Sequence, residues 1–374
     1  MAINEEKFYL LEDGKKAFPE IIRQIRLAQD KILVHMFIWR EDRIGIEIAK
    51  ELLVAANRGV KIIIEKDRYG LILEYAEESQ KSLFHSPSFG DYFKISFMEL
   101  QYNRELFLNK LHTKRSELYQ QLKNHPNIEI YDDKETRDHS KYYIFDDHIM
   151  ILGGINIEDK EYYVDLRGRT YRDYMVIIDN AETVRKFQKK INDPQISCEQ
   201  LKLNRNEQGI FEIKDSFLQL INQTEKELSI MMAYFAPDKE IVEAIKKAVD
   251  GGVKVRIMLS RKANNVDDVN KLTAKKLLSY AQSSKGNLKV YLTDYMLHAK
   301  LLMNENNIII GSCNITPNSF YRLSEMDICV ENDDSLFARQ VRCCVDENFD
   351  NAECVSIENI KFNTIKAHVE ALFS

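Results

Sequence analysis

Residues 32–65 read ILVHMFIWREDRIGIEIAKELLVAANRGVKIIIE, and residues 228–259 read LSIMMAYFAPDKEIVEAIKKAVDGGVKVRIML. Each runs apolar strand, polar turn, amphipathic helix, Gly-Val-Lys, second apolar strand. In the first, Ile44, Ile48, Leu52 and Ala55 recur at helical spacing; in the second, Ile241, Ala244, Ile245 and Val249 do so. Gly59 and Gly252 fall where a helix ends and left-handed backbone is wanted. The Val-Lys-Ile and Val-Lys-Val runs that follow read as buried strands. One βαβ unit used twice predicts an α/β fold of two similar domains with mixed sheets, packed about a pseudo-two-fold axis, and not a short-period solenoid.

Working outward, the domains are expected at 1–190 and 205–374. The linker is placed around 179–209, where DNAETVRKFQKK and KLNRNEQG are polar and lack a clean strand period. The first half carries extra sequence at about 71–126, rich in aromatics: Tyr75, Phe84, Phe89, Tyr92, Phe93, Phe97, Tyr102, Phe107 and Tyr119. Two readings stand. It is a helical insertion packed on the core, as aromatics usually are, or a lid or membrane-docking element, as insertions often carry function. The run at 358–374 reads as an amphipathic helix packed on the body, because its basic residues are few for membrane contact.

Composition bounds the function. Of 374 residues, 44% are hydrophobic and 30% charged, a globular balance with material for a large core. No apolar run approaches the 18 or more residues a spanning helix needs, and MAINEEKFYL at the start has no basic-then-apolar secretory pattern. The net charge of −6 disfavours a broad nucleic-acid binder, whose footprint is basic. The six cysteines form no CxxC pair and no zinc-finger spacing, which points to a reduced, cytoplasmic compartment.

Chemistry enters with a second repetition. Residues 139–146 read HSKYYIFD and residues 298–305 read HAKLLMNE. Each is His-x-Lys, four residues, then a carboxylate: His139, Lys141 and Asp146, then His298, Lys300 and Glu305. An Asn follows in each, Asn156 in GGIN (153–156) and Asn314 in GSCN (311–314), and a later carboxylate, Asp173 and Glu325. With eight histidines, one full match is expected by chance roughly 0.1 times; two, one per repeat and each trailed by Asn, are far more specific. His112-Thr113-Lys114 shares only the His-x-Lys and has no acid seven residues on.

Lys141–Phe145 with Ile149–Leu152, and Leu301–Met303 with Ile308–Ile310, read as hairpins. Residues i and i+2 of a strand face one side, so each His projects with its Lys, and the repeat can bring both pairs to one cleft. Two His, two Lys and two Asn suit a phosphodiester. Lys and Asn hold non-bridging oxygens. One His attacks phosphorus, while the other protonates the leaving alkoxide and later deprotonates the incoming alcohol or water. Asp173 and Glu325 could fix the imidazole tautomers. No metal or cofactor is required, and Asp146-Asp147-His148 reads as a turn and not as a ligand set. Elsewhere, His35 reads as a core histidine and Trp39 as packing. Arg167, Arg169 and Arg172 read equally as a solvated loop or a lipid-phosphate contact.

These paired segments, with GGIN and GSCN, resemble the phospholipase D superfamily, and within it bacterial cardiolipin synthases of a short type without membrane-spanning helices. The resemblance runs from about residue 9 to about 335. YRDYMVIID at 171–179 resembles the family's Trp-Arg-Asp segment, with Tyr171 in place of Trp. It implies two phospholipase D-like domains with the site between them, and metal-independent transfer of a phosphatidyl group through phosphohistidine. One phosphatidylglycerol donates, a second accepts and glycerol leaves. It implies His139 as nucleophile and His298 as acid–base, where symmetry alone allows the reverse. It also implies a peripheral enzyme at a phospholipid membrane surface, on the inner face of the cell membrane. Three departures stand out: Glu305 where Asp is usual, Thr316 and Asn318 in the stretch after GSCN, and the missing spanning helices. The alternatives are a phospholipase releasing phosphatidic acid to water, a phosphodiesterase or nuclease, which the charge counts against, and a non-catalytic lipid-binding module, against which the intact motifs count. Oligomeric state is left open.

Overall fold

The computed structural model describes residues 7–76, 81–101 and 116–373. The chain divides into two compact units, Met1–Asn192 and Asp193–Ser374.

In the first unit the order is β1 (Phe8–Glu12), α1 (Asp13–Leu27), β2 (Lys31–Met36), α2 (Arg43–Asn57), β3 (Lys61–Lys66), α3 (Gly70–Ala76), α4 (Phe89–Gln101), α5 (Glu117–Lys123), β4 (Ile128–Tyr131), β5 (Tyr142–Phe145), β6 (Ile149–Gly153), α6 (Asp159–Tyr162), β7 (Tyr171–Arg172), β8 (Tyr174–Asp179) and α7 (Ala181–Asn192). The second has β9 (Leu201–Arg205), β10 (Ile210–Phe211), α8 (Ile213–Asn222), β11 (Glu227–Met232), α9 (Lys239–Asp250), β12 (Lys254–Ser260), α10 (Asp267–Ser284), β13 (Leu288–Thr293), β14 (Met296–Leu297), β15 (Lys300–Met303), β16 (Asn307–Gly311), α11 (Pro317–Tyr321), β17 (Glu325–Glu331), α12 (Leu336–Asp350), β18 (Glu353–Val355) and α13 (Thr364–Phe373).

Each unit is built on one mixed sheet, ordered β1-β8-β6-β5-β2-β3-β4 in the first and β10-β9-β17-β16-β15-β11-β12-β13-β18 in the second. The duplication extends to strand direction. β2, β3 and β4 pair parallel, as do β11, β12 and β13. The β5–β6 and β15–β16 hairpins pair antiparallel beside them. Parallel neighbours need a crossover, and α2 and α9 supply the first in each unit. Both helices are capped alike: Asp42 accepts from the Gly45 N–H at 3.0 Å, and Asp238 from that of Ile241 at 3.1 Å. Both are followed by glycine in left-handed backbone, Gly59 at φ +101° and Gly252 at +85°. The apolar faces of α2 and α9 enter the two cores, where Ile48 and Leu52, and Ile241 and Ile245, are fully enclosed.

The sequence expectation needs correction in the stretch 179–209. It is not a structureless linker, for it holds α7 and β9, and β9 pairs with β17. The signal was thin: α7 buries only Val184 and Phe187 among its apolar residues, and β9 shows only Leu201 and Leu203. The C-terminal helix α13 packs on α10; Glu370 accepts from the Val269 N–H at 2.9 Å, and Ala367 is buried.

The insertion divides. Tyr75, Phe84 and Tyr119 are buried, whereas Phe89, Phe93 and Phe97 are exposed. Tyr102, Phe107 and His112 lie outside the described residues. Trp39 packs as expected: it is fully buried, donates from Nε1 to the Gly45 carbonyl at 3.1 Å and meets the Phe84 ring edge-on.

Candidate active site

Each unit places its candidate residues at one end of its central hairpin. In the first, His139 lies just before β5 and Asn156 just after β6. Lys141 is buried, and its ammonium turns back to donate to the His139 carbonyl. The ammonium also sits 5.2 Å from the centre of the Phe37 ring, whose edge meets the His139 imidazole at 4.7 Å. The second unit repeats this. Lys300 is buried, its Nζ donates to the His298 carbonyl, and it stands 3.2 Å from His298 Nδ1. His298 is itself buried and meets Tyr234 edge-on. In both units the Lys ammonium folds back onto the backbone of the His two residues earlier, where the strand begins.

The two Asn are buried but differently engaged. Asn314 Oδ1 accepts from the Tyr234 N–H at 3.2 Å. Asn156 Oδ1 is buried with no hydrogen-bond partner among the described residues, an arrangement a native fold rarely tolerates without a reason.

Asp173 and Glu325 flank the two Asn-bearing turns. Asp173 is buried and accepts from the Tyr174 N–H at 2.8 Å. Its carboxylate lies so close to Gly154 that a Cβ there would come within 2.4 Å of it, so this position must lack a side chain. The second unit has Ser312 at the matching place, and its hydroxyl donates to Glu325 at 2.5 Å. One unit makes room for its acid and the other hydrogen-bonds it.

Asp146 and Glu305 stand at the opposite end of the hairpins, the length of β5 or β15 away, roughly 13 Å for four residues at about 3.3 Å each. Asp146 accepts from the N–H groups of Gln29, Asp30 and Lys31 at 2.9–3.0 Å. Glu305 accepts from that of Glu225 at 2.6 Å; against the cost of burial, this and neighbouring N–H groups hold its carboxyl below the ordinary range. Both carboxylates tie the hairpin turn to the loop entering the neighbouring parallel strand. Asp146 and Asp147 also adopt left-handed backbone, φ +50° and +53°, which Asp tolerates better than most residues. This placement sets both acids apart from the His and Lys of their own motifs.

The sequence read His35 as a core histidine but missed its charged partners, together with several other residues near these positions. His35 lies in β2, next to Glu65 in register on β3. It is buried, with Nδ1 2.9 Å from Glu65 and Nε2 3.5 Å from Asp138, and it stacks on Tyr142 at 4.9 Å. Burial opposes its charge, but Asp138 and Glu65 outweigh burial and raise its pKa to about 9. It is a core histidine that carries a charge, and Asp138 is the residue before His139. In turn Asp67 accepts from the Asp138 N–H at 2.6 Å. Deeper, Lys66 and Glu74 form a fully buried ion pair at 3.1 Å. In the second unit, Asp327 faces Gly311 and accepts from the N–H groups of Ser312 and Cys313 at 2.8 and 3.1 Å. Burial and then Glu325 push its pKa up to about 8. The Glu-x-Asp spacing of Glu325 and Asp327, two acids at the start of a strand whose next three residues are apolar, was the available signal.

The arginine cluster resolves in part: Arg169 pairs with Asp165 at 2.8 Å and Arg172 with Glu12 at 3.4 Å, while Arg167 is exposed.

Two α/β units, each presenting a histidine beside a buried lysine and a buried Asn at the end of a central hairpin, define a class of phosphodiester-processing protein. The family model described as cardiolipin synthase, PLD-like domain, matches residues 21–193 and 217–348. The chain belongs to that family, and it is an enzyme of the phospholipase D superfamily, of the cardiolipin synthase-like phosphatidyltransferase kind. It is 26% identical over 351 residues to cardiolipin synthase B of Shigella flexneri, covering 87% of this chain and 76% of that one. It is 24% identical over 380 residues to a cardiolipin synthase of Clostridium perfringens, covering 92% and 72%. In fold it matches a phosphatidylserine synthase of Haemophilus influenzae with a TM-score of 0.72, covering 98% and 92% at 15% identity. No helix among the described residues is long and apolar enough to cross a membrane.

Proposed function

We propose that the enzyme makes cardiolipin from two phosphatidylglycerols through a phosphohistidine, with both half-sites serving one phosphodiester. The observation that carries this reading is the repeated pair of a histidine and a buried lysine ammonium, His139 with Lys141 and His298 with Lys300.

His139 attacks phosphorus of the first phosphatidylglycerol. The P–N bond forms, the P–O bond to glycerol breaks, and His298 protonates the leaving alkoxide. A second phosphatidylglycerol then binds. His298 takes the proton from its terminal hydroxyl, the new P–O bond forms, and His139 leaves. Lys141, Lys300, Asn156 and Asn314 bind the non-bridging oxygens and oppose the charge that develops on them. Asp173 and Glu325 orient the imidazoles, and Asp146 and Glu305 hold the hairpins from behind. The reaction as written needs no metal ion. The substrate places the enzyme peripherally on a phospholipid surface, the inner face of the cell membrane. The acceptor is the open variable, because water in place of the second lipid turns the same site into a phospholipase.

The test is lipid mass spectrometry after incubating purified protein with phosphatidylglycerol vesicles in excess EDTA. Cardiolipin and glycerol should form, and His139→Ala should lower the rate at least about a thousandfold. Phosphatidic acid as the sole product would assign water as acceptor. An unchanged lipid would reject phosphatidylglycerol as donor and bring nucleic-acid phosphodiesters forward.

A further inference from the structure

We propose that the outward arc of α4, formed by Phe89, Phe93 and Phe97, docks the enzyme into the interface of an anionic phospholipid bilayer. This rests on the lipid substrate proposed above, which is presented to the enzyme at a bilayer surface.

Spacing provides the first argument. At about 100° per residue, positions 89, 93 and 97 lie within one narrow arc. They are 82%, 72% and 47% exposed, and they are the only exposed phenylalanines among the described side chains. The helix does not lack a core contact that these rings could make elsewhere. Ile95, on its opposite side, is buried against Leu71, Ile72, Tyr75 and Ala76, and Met98 packs there too. α4 is therefore apolar on both sides, and only one side is buried. An uncovered arc of three aromatic rings on a helix already packed through its other face marks a docking surface.

Charge provides the second. The outward arc runs from Ser96 through the three rings to Lys94, roughly 160° at about 100° per residue. Its single charge is an ammonium. Both acids of the helix, Asp91 and Glu99, lie outside that arc, and Asp91 is held by Arg68 at 3.0 Å and by the Ser88 hydroxyl at 2.7 Å. Lys94 stands at the border, half exposed, 3.3 Å from Glu135. An apolar face edged by an ammonium, with both acids of its own helix turned aside, complements an anionic headgroup layer.

The chain has one tryptophan, and it is buried, so Phe93→Trp is a clean reporter in the full-length protein. Titrated with phosphatidylglycerol vesicles, its emission should shift to the blue and be quenched by brominated acyl chains, with weaker binding to phosphatidylcholine. The triple variant Phe89→Ser, Phe93→Ser, Phe97→Ser should bind vesicles at least about tenfold more weakly, with unchanged thermal midpoint and unchanged turnover of monomeric short-chain phosphatidylglycerol. Emission from the Phe93→Trp indole that is already blue before lipid is added means the chain or a second copy covers the arc, and overturns the proposal. So does an unshifted signal while vesicular lipid is still converted. Lipid binding through the arc with no turnover of any phosphatidylglycerol leaves the docking surface standing and removes the substrate reading alone.

Discussion

His35 sets part of the pH response of the first unit. Its pKa is raised to about 9 in the folded protein, against about 6.5 in an unfolded chain. The folded state therefore binds the extra proton between these values, and the stability it contributes is complete below about pH 6.5 and lost as pH rises towards 9. His35→Gln should lose up to about 3 kcal/mol at pH 6, at about 1.4 kcal/mol per pH unit, and much less at pH 9.5. Urea unfolding at the two values decides it; an equal loss at both would show that the charge is immaterial. Asp327 is the acidic counterpart. Its carboxyl is raised to about 8 from about 3.9, so the folded state again holds the extra proton and stability falls from about pH 4 to 8. Asp327→Asn keeps an acceptor for the Ser312 and Cys313 N–H groups and removes the proton. It should flatten that decline and stabilise the protein at pH 8; an unchanged pH slope would reject the assignment.

At the scale of elements, the two hairpins separate chemistry from support. Lys141 and Asp146 belong to one short motif, yet the strand between them carries them to opposite ends. Asp146→Ala removes the acceptor of three backbone N–H groups and should cost about 1–2 kcal/mol of stability, since part of the loss is made good by water. Turnover should fall less than about tenfold, against at least about a thousandfold for His139→Ala. A loss equal to that of His139→Ala, with stability unchanged, would return Asp146 to the reacting groups. The hairpins themselves were legible in the sequence to within a residue, because alternation and the polar turns Asp146–His148 and Asn304–Asn307 are local signals. α7 and β9 were not, since their few apolar residues acquire meaning only against a sheet already formed. For α4 the sequence showed aromatics but not their fate. Phe89 and Phe84 are alike in composition, and one is exposed while the other is fully buried.

At the scale of the whole molecule, duplication is the organising fact, and the proposed chemistry makes a prediction from it. If His139 and His298 serve one reaction, removing either alone should abolish most of the rate, and removing both should cost little more than one. Two independent sites would instead leave about half the rate in each single variant. Rates of the two single variants and the double variant on phosphatidylglycerol vesicles separate these outcomes. The sequence by itself determined the α/β class, the repeated βαβ unit and the paired His-x-Lys segments, because each is written in periodicity or spacing over a few tens of residues. Only tertiary structure decided that His35 sits between Glu65 and Asp138, that Gly154 gives way to Asp173 where Ser312 binds Glu325, and that Asp327 holds its proton. Those states depend on burial and on partners up to about a hundred residues distant in the chain, and the local pattern of a strand carries no record of which charge will face it across the sheet.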